Sequence, residues 1–255
     1  MQAIILAGGF GTRLSEETDV IPKPMIEVGG NPILWHIMKI FSFYGINQFT
    51  VALGYKGEVI KDYFTRYYHL KSDLRVELAS GMIKTKKTLN EDWTINLIDT
   101  GQNSMTGGRL KRLAEQIDST FIFTYGDGLS NIDIHELVAF HRSHKKLATV
   151  TAVKPRQRFG LLKVTNDGEV SQFSEKPEAD GSLINGGFFV LEPEVLDYIK
   201  DDSTVWEKEP CENLVKDKQL MAYHHDGYWQ CVDTLHELRI LRQLWNAGEA
   251  EWKLW

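Results

Sequence analysis

A short, mostly apolar strand that ends in a glycine-rich turn is the feature that most restricts how this chain can fold. Residues 1–7 run directly into Gly8-Gly9-Phe10-Gly11-Thr12-Arg13-Leu14. Glycine has no Cβ, so the backbone N–H groups of such a turn can approach a ligand closely and form a concave anion site. The Thr12 hydroxyl and the forked Arg13 cation both suit phosphate. The segment therefore predicts a phosphate-binding turn at the end of a buried strand.

A lysine follows this turn between two prolines, in Pro22-Lys23-Pro24. Proline restricts its own backbone and that of the residue before it, so the Lys23 backbone is stiff and its ammonium is aimed. The glycine turn, Arg13 and Lys23 together predict a triphosphate site with two cations over it.

Two commoner glycine-rich motifs do not fit this turn. The dinucleotide fingerprint requires a third glycine where Leu14 stands, and an acidic residue at a fixed offset that the chain lacks. The P-loop requires a Gly-Lys-Ser/Thr triplet, which is absent here. An ordinary strand-to-loop turn is the plain alternative, but it leaves Arg13 and Lys23 unexplained.

Composition narrows the class of protein. A chain of 255 residues fits one α/β domain with insertions. The net charge of -6 argues against a general nucleic-acid surface. Cys211 and Cys231 show no zinc spacing, which favours a reduced, cytoplasmic setting. The chain shows neither a basic N-terminal targeting pattern nor a membrane-length apolar run, so no membrane partner is expected.

Strand and helix patterns alternate along the first part of the chain. Asn31-Pro32 predicts an N-cap and a first helical residue, and apolar residues then recur at helical spacing to residue 44. Residues 48–54 read as a strand and 58–68 as a helix. This order predicts a Rossmann-like, mostly parallel sheet flanked by helices.

Smaller elements are expected to interrupt that sheet. Residues 70–100 predict a β-hairpin or loop insertion with a basic run at its tip, and residues 160–174 predict a second hairpin. Residues 200–255 are expected to form a C-terminal helical part. Its tryptophans, Trp245, Trp252 and Trp255, are either interface anchors or part of the chain's own core. The whole chain, 1–255, is predicted to be one domain.

Two aspartates follow predicted strands. The strand at 121–125 ends in Gly126-Asp127-Gly128, and Asp233 follows a short strand at 228–232. Ligands of open α/β sheets bind beyond the carboxyl ends of strands, and Mg²⁺ prefers carboxylate and phosphate oxygens. Helix capping is the ordinary role of such residues, but Thr234 is the better cap beside Asp233. We therefore predict that Asp127 and Asp233 bind Mg²⁺, whereas His141 and His144 are expected at the surface.

The motifs together resemble the signature of the sugar-nucleotide pyrophosphorylase family. They follow one another in the order of that family: the glycine-rich turn, Pro22-Lys23-Pro24, Gly126-Asp127, Glu175-Lys176-Pro177 and Asn185-Gly186-Gly187. Residues 105–112 and 229–234 are similar to the branch that uses CTP. Relatives that use UTP or dTTP commonly carry proline where this chain has Ser15-Glu16-Glu17. The resemblance covers essentially the whole chain.

The resemblance implies a nucleotide-diphospho-sugar transferase fold and an activity. The expected reaction transfers a cytidylyl group from CTP to α-D-glucose 1-phosphate, releasing pyrophosphate without a covalent enzyme intermediate. The resemblance also implies a homo-oligomer such as a hexamer, and a place in lipopolysaccharide O-antigen biosynthesis. Transfer from UTP or dTTP, and a sugar-nucleotide-binding module without chemistry, are the alternatives.

The resemblance further implies roles for single residues. Arg13 would hold the departing pyrophosphate and Lys23 would meet the charge on the α-phosphate, so both are predicted to be catalytic. Glu175 and Lys176, which spacing alone would assign to a surface ion pair, would contact the sugar and its phosphate. The predicted substrate-binding residues are Leu6, Ala7, Gly8, Gly9, Phe10, Gly11, Thr12, Arg13, Lys23, Ser104, Gly108, Arg109, Gly126, Asp127, Glu175, Lys176, Asn185 and Gly186.

Overall fold

A computed structural model describes residues 1–9, 21–86, 91–155, 161–165, 167–174 and 183–255. The strands, in chain order, are β1 (Ala3–Leu6), β2 (Glu27–Val28), β3 (Asn31–Pro32), β4 (Gln48–Leu53), β5 (Asp73–Glu77), β6 (Met82–Lys86), β7 (Thr94–Asp99), β8 (Phe121–Tyr125), β9 (Gly128–Ser130), β10 (Ala148–Val153), β11 (Leu161–Val164), β12 (Val170–Ser174), β13 (Ile184–Leu191), β14 (Leu220–His225) and β15 (Trp229–Cys231). The α-helices are α1 (Ile33–Phe43), α2 (Gly57–Leu70), α3 (Thr106–Lys111), α4 (Ile134–His144), α5 (Glu209–Lys216) and α6 (Leu235–Ala247).

Among the described residues, seven strands form one central sheet in the order β14-β10-β13-β8-β1-β4-β7. β1 runs parallel to β4 and β8, and β4 is parallel to β7. β13 is antiparallel to both of its neighbours, while β10 and β14 pair in parallel. The predicted mostly parallel α/β sheet is therefore confirmed.

Apolar side chains cover both faces of this sheet. Ala3 and Ile5 of β1 enter one core, which includes residues of α1, α2, α4 and α6. Ile4 and Leu6 enter the other, which includes residues of α3 and α5. Successive strand residues point to opposite faces, so a strand covered on both sides reads as one unbroken apolar run. Side chains therefore cover β1 on both faces of the sheet, up to Leu6 at its end.

The predicted insertion at 70–100 is wrong in extent. β5 and β6 form a two-stranded ribbon, with Lys84 and Lys86 inside β6, whereas Lys87 lies outside the described residues. β7 instead forms an edge of the central sheet, paired with β4. Its alternating half-buried and exposed residues are typical of an edge strand, and a hairpin produces the same pattern.

The C-terminal part is not only helical. β14 forms the opposite edge of the central sheet, beside β10. The three tryptophans belong to the chain's own core: Trp252 is fully buried, and Trp245 and Trp255 pack around His36. Of the two alternatives for these side chains, the structure favours packing within the chain.

Two local predictions are wrong because longer-range contacts replace them. Asn31 and Pro32 pair with β2 as a strand, so α1 begins at Ile33, and the Asn31 side chain accepts a hydrogen bond from Lys71. The His141 side chain is buried, where its two ring nitrogens face Thr149 and Glu192. None of the helices in the described part of the chain is long and apolar enough to cross a membrane.

His36 gives the fold a testable pH dependence. It is fully buried, its Nε2 lies 2.8 Å from the Val28 carbonyl, and its Nδ1 accepts from Trp252 Nε1. Burial lowers the pKa of His36 to about 4. The unfolded chain, with an ordinary histidine pKa of about 6.5, therefore binds a proton at pH values where folded His36 does not.

We expect the free energy of unfolding to fall by about 3 kcal/mol from this group as the pH is lowered from 6.5 towards 4. In denaturant titrations, a His36→Gln variant should have a lower free energy of unfolding than the unmodified protein at neutral pH. Its free energy of unfolding should also decline less steeply between pH 6.5 and pH 4. His69→Gln, at an exposed histidine, is the matched control. An equal decline in both variants would contradict the role of His36.

Candidate active site

A cleft of about 440 Å³ opens at the carboxyl ends of β1 and β8. Its walls come from the glycine turn, the lysine segment, the start of α3 and the loops after β8 and β15. The lining residues are Leu6, Ala7, Gly8, Gly9, Lys23, Pro24, Gln102, Asn103, Ser104, Met105, Thr106, Arg109, Tyr125, Gly126, Asp127 and Asp233. Of the predicted site residues, the cleft thus gathers ten from distant parts of the chain.

The glycine turn is held by a buried arginine. A Cβ on Gly8 would lie 2.3 Å from the Arg109 guanidinium, so only glycine fits without a shift of this side chain. Arg109 is 4% exposed. Its two terminal nitrogens donate to Leu53 O, Thr100 Oγ1, Gly101 O, Gly8 O and Gln102 O. Arg109 therefore links the first turn to the loop before α3, and burial lowers the pKa of its guanidinium.

Lys23 contacts both predicted metal-binding aspartates. It opens a short 3₁₀ turn, Lys23–Met25, whose Pro24 is buried. Its Nζ lies 2.5 Å from Asp127 Oδ2 and 2.7 Å from Asp233 Oδ1. Burial would lower the pKa of the Lys23 ammonium, but the two carboxylates outweigh burial and the pKa is raised. The ammonium stays charged between them.

Backbone pairing places the two aspartates side by side. β9 and β15 are antiparallel, with Cys231 opposite Gly128, and the Val232 N–H donates to the Asp127 carbonyl at 3.0 Å. The residues just beyond this ladder, Asp127 and Asp233, therefore lie next to each other. Two residues far apart in the sequence thus become neighbours through main-chain hydrogen bonds.

The segment after Asp233 is fixed by a capping box. The Thr234 side chain accepts from Glu237 N, and the Glu237 carboxylate accepts from the N–H groups of Asp233 and Thr234. The sequence prediction that Thr234 caps α6 is therefore confirmed. The Asp233 carboxylate is left to face the cleft.

The residue before Asp127 has no room for a side chain. A Cβ on Gly126 would lie 2.8 Å from both Leu6 O and Pro24 Cγ. The end of β8 therefore packs against the end of β1 and against the proline that follows Lys23. This close approach brings the acidic and basic parts of the cleft together.

Asn185 and Gly186 lie beside the cleft wall at the start of β13. Asn185 Nδ2 donates to Tyr125 Oη at 3.3 Å, and Asn185 Oδ1 accepts from Gly187 N. Trp229 Nε1 donates to Gly186 O at 2.7 Å. Both predicted sugar residues are thereby held against Tyr125 or the β15 segment.

Other predicted residues fall elsewhere. Gly108 does not line the cleft, because it packs against backbone: a Cβ there would lie 2.3 Å from Asp202 O. Gly107 likewise packs against Thr204. The remaining predicted residues lie outside the described part of the chain: Phe10, Gly11, Thr12, Arg13, Glu175 and Lys176.

Tyr125 is the main lining residue that sequence reasoning missed. It is the last residue of β8 and directly precedes Gly126-Asp127, so its position beside that motif was the available signal. Gln102 and Asn103 also line the cleft, but they follow an edge strand that the sequence pattern had assigned to a hairpin.

The carboxylates of Asp127 and Asp233 have the spacing and the chemistry of cation ligands. Two carboxylate oxygens already contact one positively charged nitrogen, so they are close enough to share a single ion. Oxygen ligands are those that Mg²⁺ prefers. Within the described ranges, no group of three or more His, Cys, Asp or Glu side chains could hold a metal ion.

The fold of this chain is that of the nucleotide-diphospho-sugar transferases. A solved structure of UDP-glucose pyrophosphorylase complexed with UDP-glucose aligns with a TM-score of 0.69, at 15% identity, over 97% of this chain and 98% of that chain.

The sequence comparisons define the family. The model of the nucleotidyl transferase family matches residues 2–243, and the chain belongs to this family. It is 52% identical to glucose-1-phosphate cytidylyltransferase of Salmonella typhimurium, over 100% of both chains. It is 46% identical, again over 100% of both chains, to a Bacillus subtilis protein named probable glucose-1-phosphate cytidylyltransferase. The resemblance found in the sequence motifs is confirmed.

Gly108 gives a test of packing near the cleft. Alanine in a helix is favoured over glycine by up to about 1 kcal/mol, but overpacking against a fixed backbone costs about 1–3 kcal/mol. We therefore expect Gly108→Ala to lower the free energy of unfolding. Gly57→Ala in α2 is the matched control, because a Cβ there would lie 3.0 Å from its nearest neighbour, Leu53 Cβ, instead of 2.3 Å from a backbone oxygen. Equal stability of the two variants in denaturant titrations would contradict the Asp202 contact.

Proposed function

We propose that this chain transfers a cytidylyl group from CTP to α-D-glucose 1-phosphate, giving CDP-glucose and pyrophosphate. The observation that carries the proposal is the cleft in which Lys23, Asp127 and Asp233 meet beside the glycine turn. The choice of CTP and of glucose 1-phosphate is supported by the names of two full-length relatives. We further propose that residues 1–255 act as one domain, since the central sheet draws strands from residue 3 to residue 225.

The reaction needs positioning and charge neutralisation more than covalent chemistry. An oxygen of the sugar phosphate attacks the α-phosphorus in line with the departing pyrophosphate, so one P–O bond forms as another breaks. The nucleotide phosphates bind at the Gly8-Gly9 turn, whose N–H groups donate hydrogen bonds to the negatively charged phosphate oxygens. Arg13 holds the departing pyrophosphate. The fixed donors and cations favour the charge that develops during transfer.

Asp127 and Asp233 would hold Mg²⁺, with phosphate oxygens and water as the remaining ligands. The bound ion would neutralise the triphosphate and make the α-phosphorus more electrophilic. Lys23 would contact the α-phosphate and the sugar phosphate. Glu175, Asn185 and Gly186 bind the glucose hydroxyls and Lys176 binds the sugar phosphate, while the segment from Ser104 to Arg109 lies near the base. The homo-oligomer and the cytoplasmic setting stay predictions.

The substrate assignment is tested by pyrophosphate release with CTP, UTP, dTTP, GTP and ATP, each with glucose 1-phosphate and Mg²⁺. We expect CTP to exceed the others in kcat/KM by at least about 100-fold, because a site that hydrogen-bonds one base leaves its polar groups unpaired with another. CTP without the sugar phosphate is the control. Preference for another nucleotide would overturn the base assignment, and no release with any of them would favour a binding module.

Lys23→Met tests the central cluster. We expect turnover to fall by about 100-fold or more, because a charge that meets the developing transition state is lost. Melting temperature and circular dichroism should show a retained fold. Lys39→Met is the matched control, since Lys39 is also a largely buried lysine in an ion pair, with Glu91, but stands outside the cleft. Near-normal turnover of Lys23→Met would contradict its role.

The same variant reports on the metal without any turnover. Titration with Mn²⁺ followed by electron paramagnetic resonance should show tighter binding to Lys23→Met than to the unmodified protein in the absence of nucleotide, because no ammonium competes for the carboxylates. Asp127→Asn and Asp233→Asn should each weaken binding. Unchanged affinity in all three would exclude the aspartate pair as the cation site.

A further inference from the structure

A polar relay joins four separate parts of the chain at one wall of the cleft. Its members are Thr106 at the start of α3, Tyr125 at the end of β8, Asn185 in β13 and Glu207 in the segment before α5. Glu207 Oε1 accepts a hydrogen bond from the Tyr125 hydroxyl, and Glu207 Oε2 accepts from Thr106 Oγ1 at 2.7 Å. Tyr125 Oη in turn accepts from Asn185 Nδ2.

The Glu207 carboxylate fixes the direction of these hydrogen bonds. An ionised carboxylate only accepts, so Tyr125 must donate its single proton to Glu207. The phenol oxygen can then only accept, which turns the Nδ2 end of the Asn185 amide towards it. Asn185 Oδ1 faces the other way, where the Gly187 N–H donates to it at 2.8 Å. The Glu207 carboxylate, acting through Tyr125, and the Gly187 N–H therefore favour the same orientation of the Asn185 amide.

The relay rests on a rigid frame. The side chain of Trp206, next to Glu207, is fully buried beside Phe123 and Phe189, and the backbone N–H of Trp206 donates to Thr106 Oγ1. Gly187 has a φ of +85°, and a Cβ there would lie 2.7 Å from the Tyr125 ring. The Tyr125 ring therefore packs closely against the β13 backbone. This packing restricts movement of the ring that connects Glu207 to Asn185.

Tyr125 stays protonated under ordinary conditions. Burial, followed by the neighbouring Glu207 charge, raises the pKa of its phenol. Tyr125 and Thr106 both line the cleft, whereas Glu207 is solvent-exposed and is not among the described residues that line it. The carboxylate therefore acts on the cleft through the two hydroxyls that it holds.

We propose that Glu207 is a positioning residue that sets sugar specificity, by orienting Tyr125 and, through it, Asn185 towards the hydroxyl groups of the acceptor sugar phosphate. This inference rests on the proposed function, because it takes Asn185 to be the sugar-binding side of the cleft. On this proposal, the wall of the cleft that selects the sugar is distinct from the Lys23 cluster that binds the phosphates.

The test uses Glu207→Gln in the full chain. Glutamine has nearly the same shape but can both donate and accept, so the direction of the relay is no longer fixed. We expect the KM for glucose 1-phosphate to rise about tenfold and the KM for the nucleotide to change by less than about twofold, as for the loss of one charged hydrogen bond. The preference for glucose 1-phosphate over galactose 1-phosphate should fall as well.

Glu209→Gln is the matched control, because it removes the same charge two residues away on α5 without touching the relay. Tyr125→Phe keeps the ring but removes the hydroxyl, and the double variant Tyr125→Phe/Glu207→Gln should be no worse than Tyr125→Phe alone. An equal rise in both KM values, additive effects in the double variant, or a lower melting temperature with unchanged sugar preference would overturn the proposal.

The test of the Glu207 relay can be read independently of the test of the substrate assignment. If the unmodified enzyme prefers a nucleotide other than CTP, the same KM ratio is measured with that nucleotide. If it shows no turnover, calorimetric dissociation constants for glucose 1-phosphate replace the KM values. A weaker sugar phosphate complex in Glu207→Gln than in Glu209→Gln supports the relay in either case, and equal affinities refute it.

Discussion

The contact between the Lys23 ammonium and two carboxylates is the interaction on which the cleft depends. It joins the segments that follow β1, β8 and β15, and each of its charges lies in a partly buried place where an unpaired charge would be costly. The same three groups stabilise the free protein and, in the proposed function, bind a cation through the carboxylates and phosphates through Lys23. The side chains of Lys23, Asp127 and Asp233 thus stabilise the cleft when it is empty and are the proposed ligand contacts when it is occupied.

Main-chain contacts fix this cluster more than side-chain packing does. The β9–β15 ladder sets the spacing of Asp127 and Asp233, and the capping box of α6 fixes the backbone of Asp233. On the other side, Gly126 packs against the end of β1 and against Pro24, without room for a methyl group. The relay through Glu207 adds a second fixed wall, built from different elements. The cleft thus has a proposed phosphate side and a proposed sugar side, which are supported by different elements.

The sequence was informative wherever a local pattern and its tertiary setting agree. An apolar run followed by glycines predicted β1, and an apolar run followed by Gly126-Asp127 predicted the position of Asp127 at a strand end. The capping box predicted the start of α6. It failed where distant contacts decide. β7 alternates like a hairpin strand but pairs with β4, Asn31 joins a strand instead of capping a helix, and Gly108 makes room for Asp202. The Tyr125–Glu207 contact has no local sequence signal at all.

The position of Asp233 along the chain has a consequence for biosynthesis. β1, the glycine turn, Lys23 and Asp127 all leave the ribosome well before Asp233, which reaches its partner only when β15 pairs with β9. Until then the Lys23 ammonium has one carboxylate instead of two. A chain that ends before Asp233 therefore contains all seven described strands of the central sheet and still lacks one carboxylate of the Lys23 cluster.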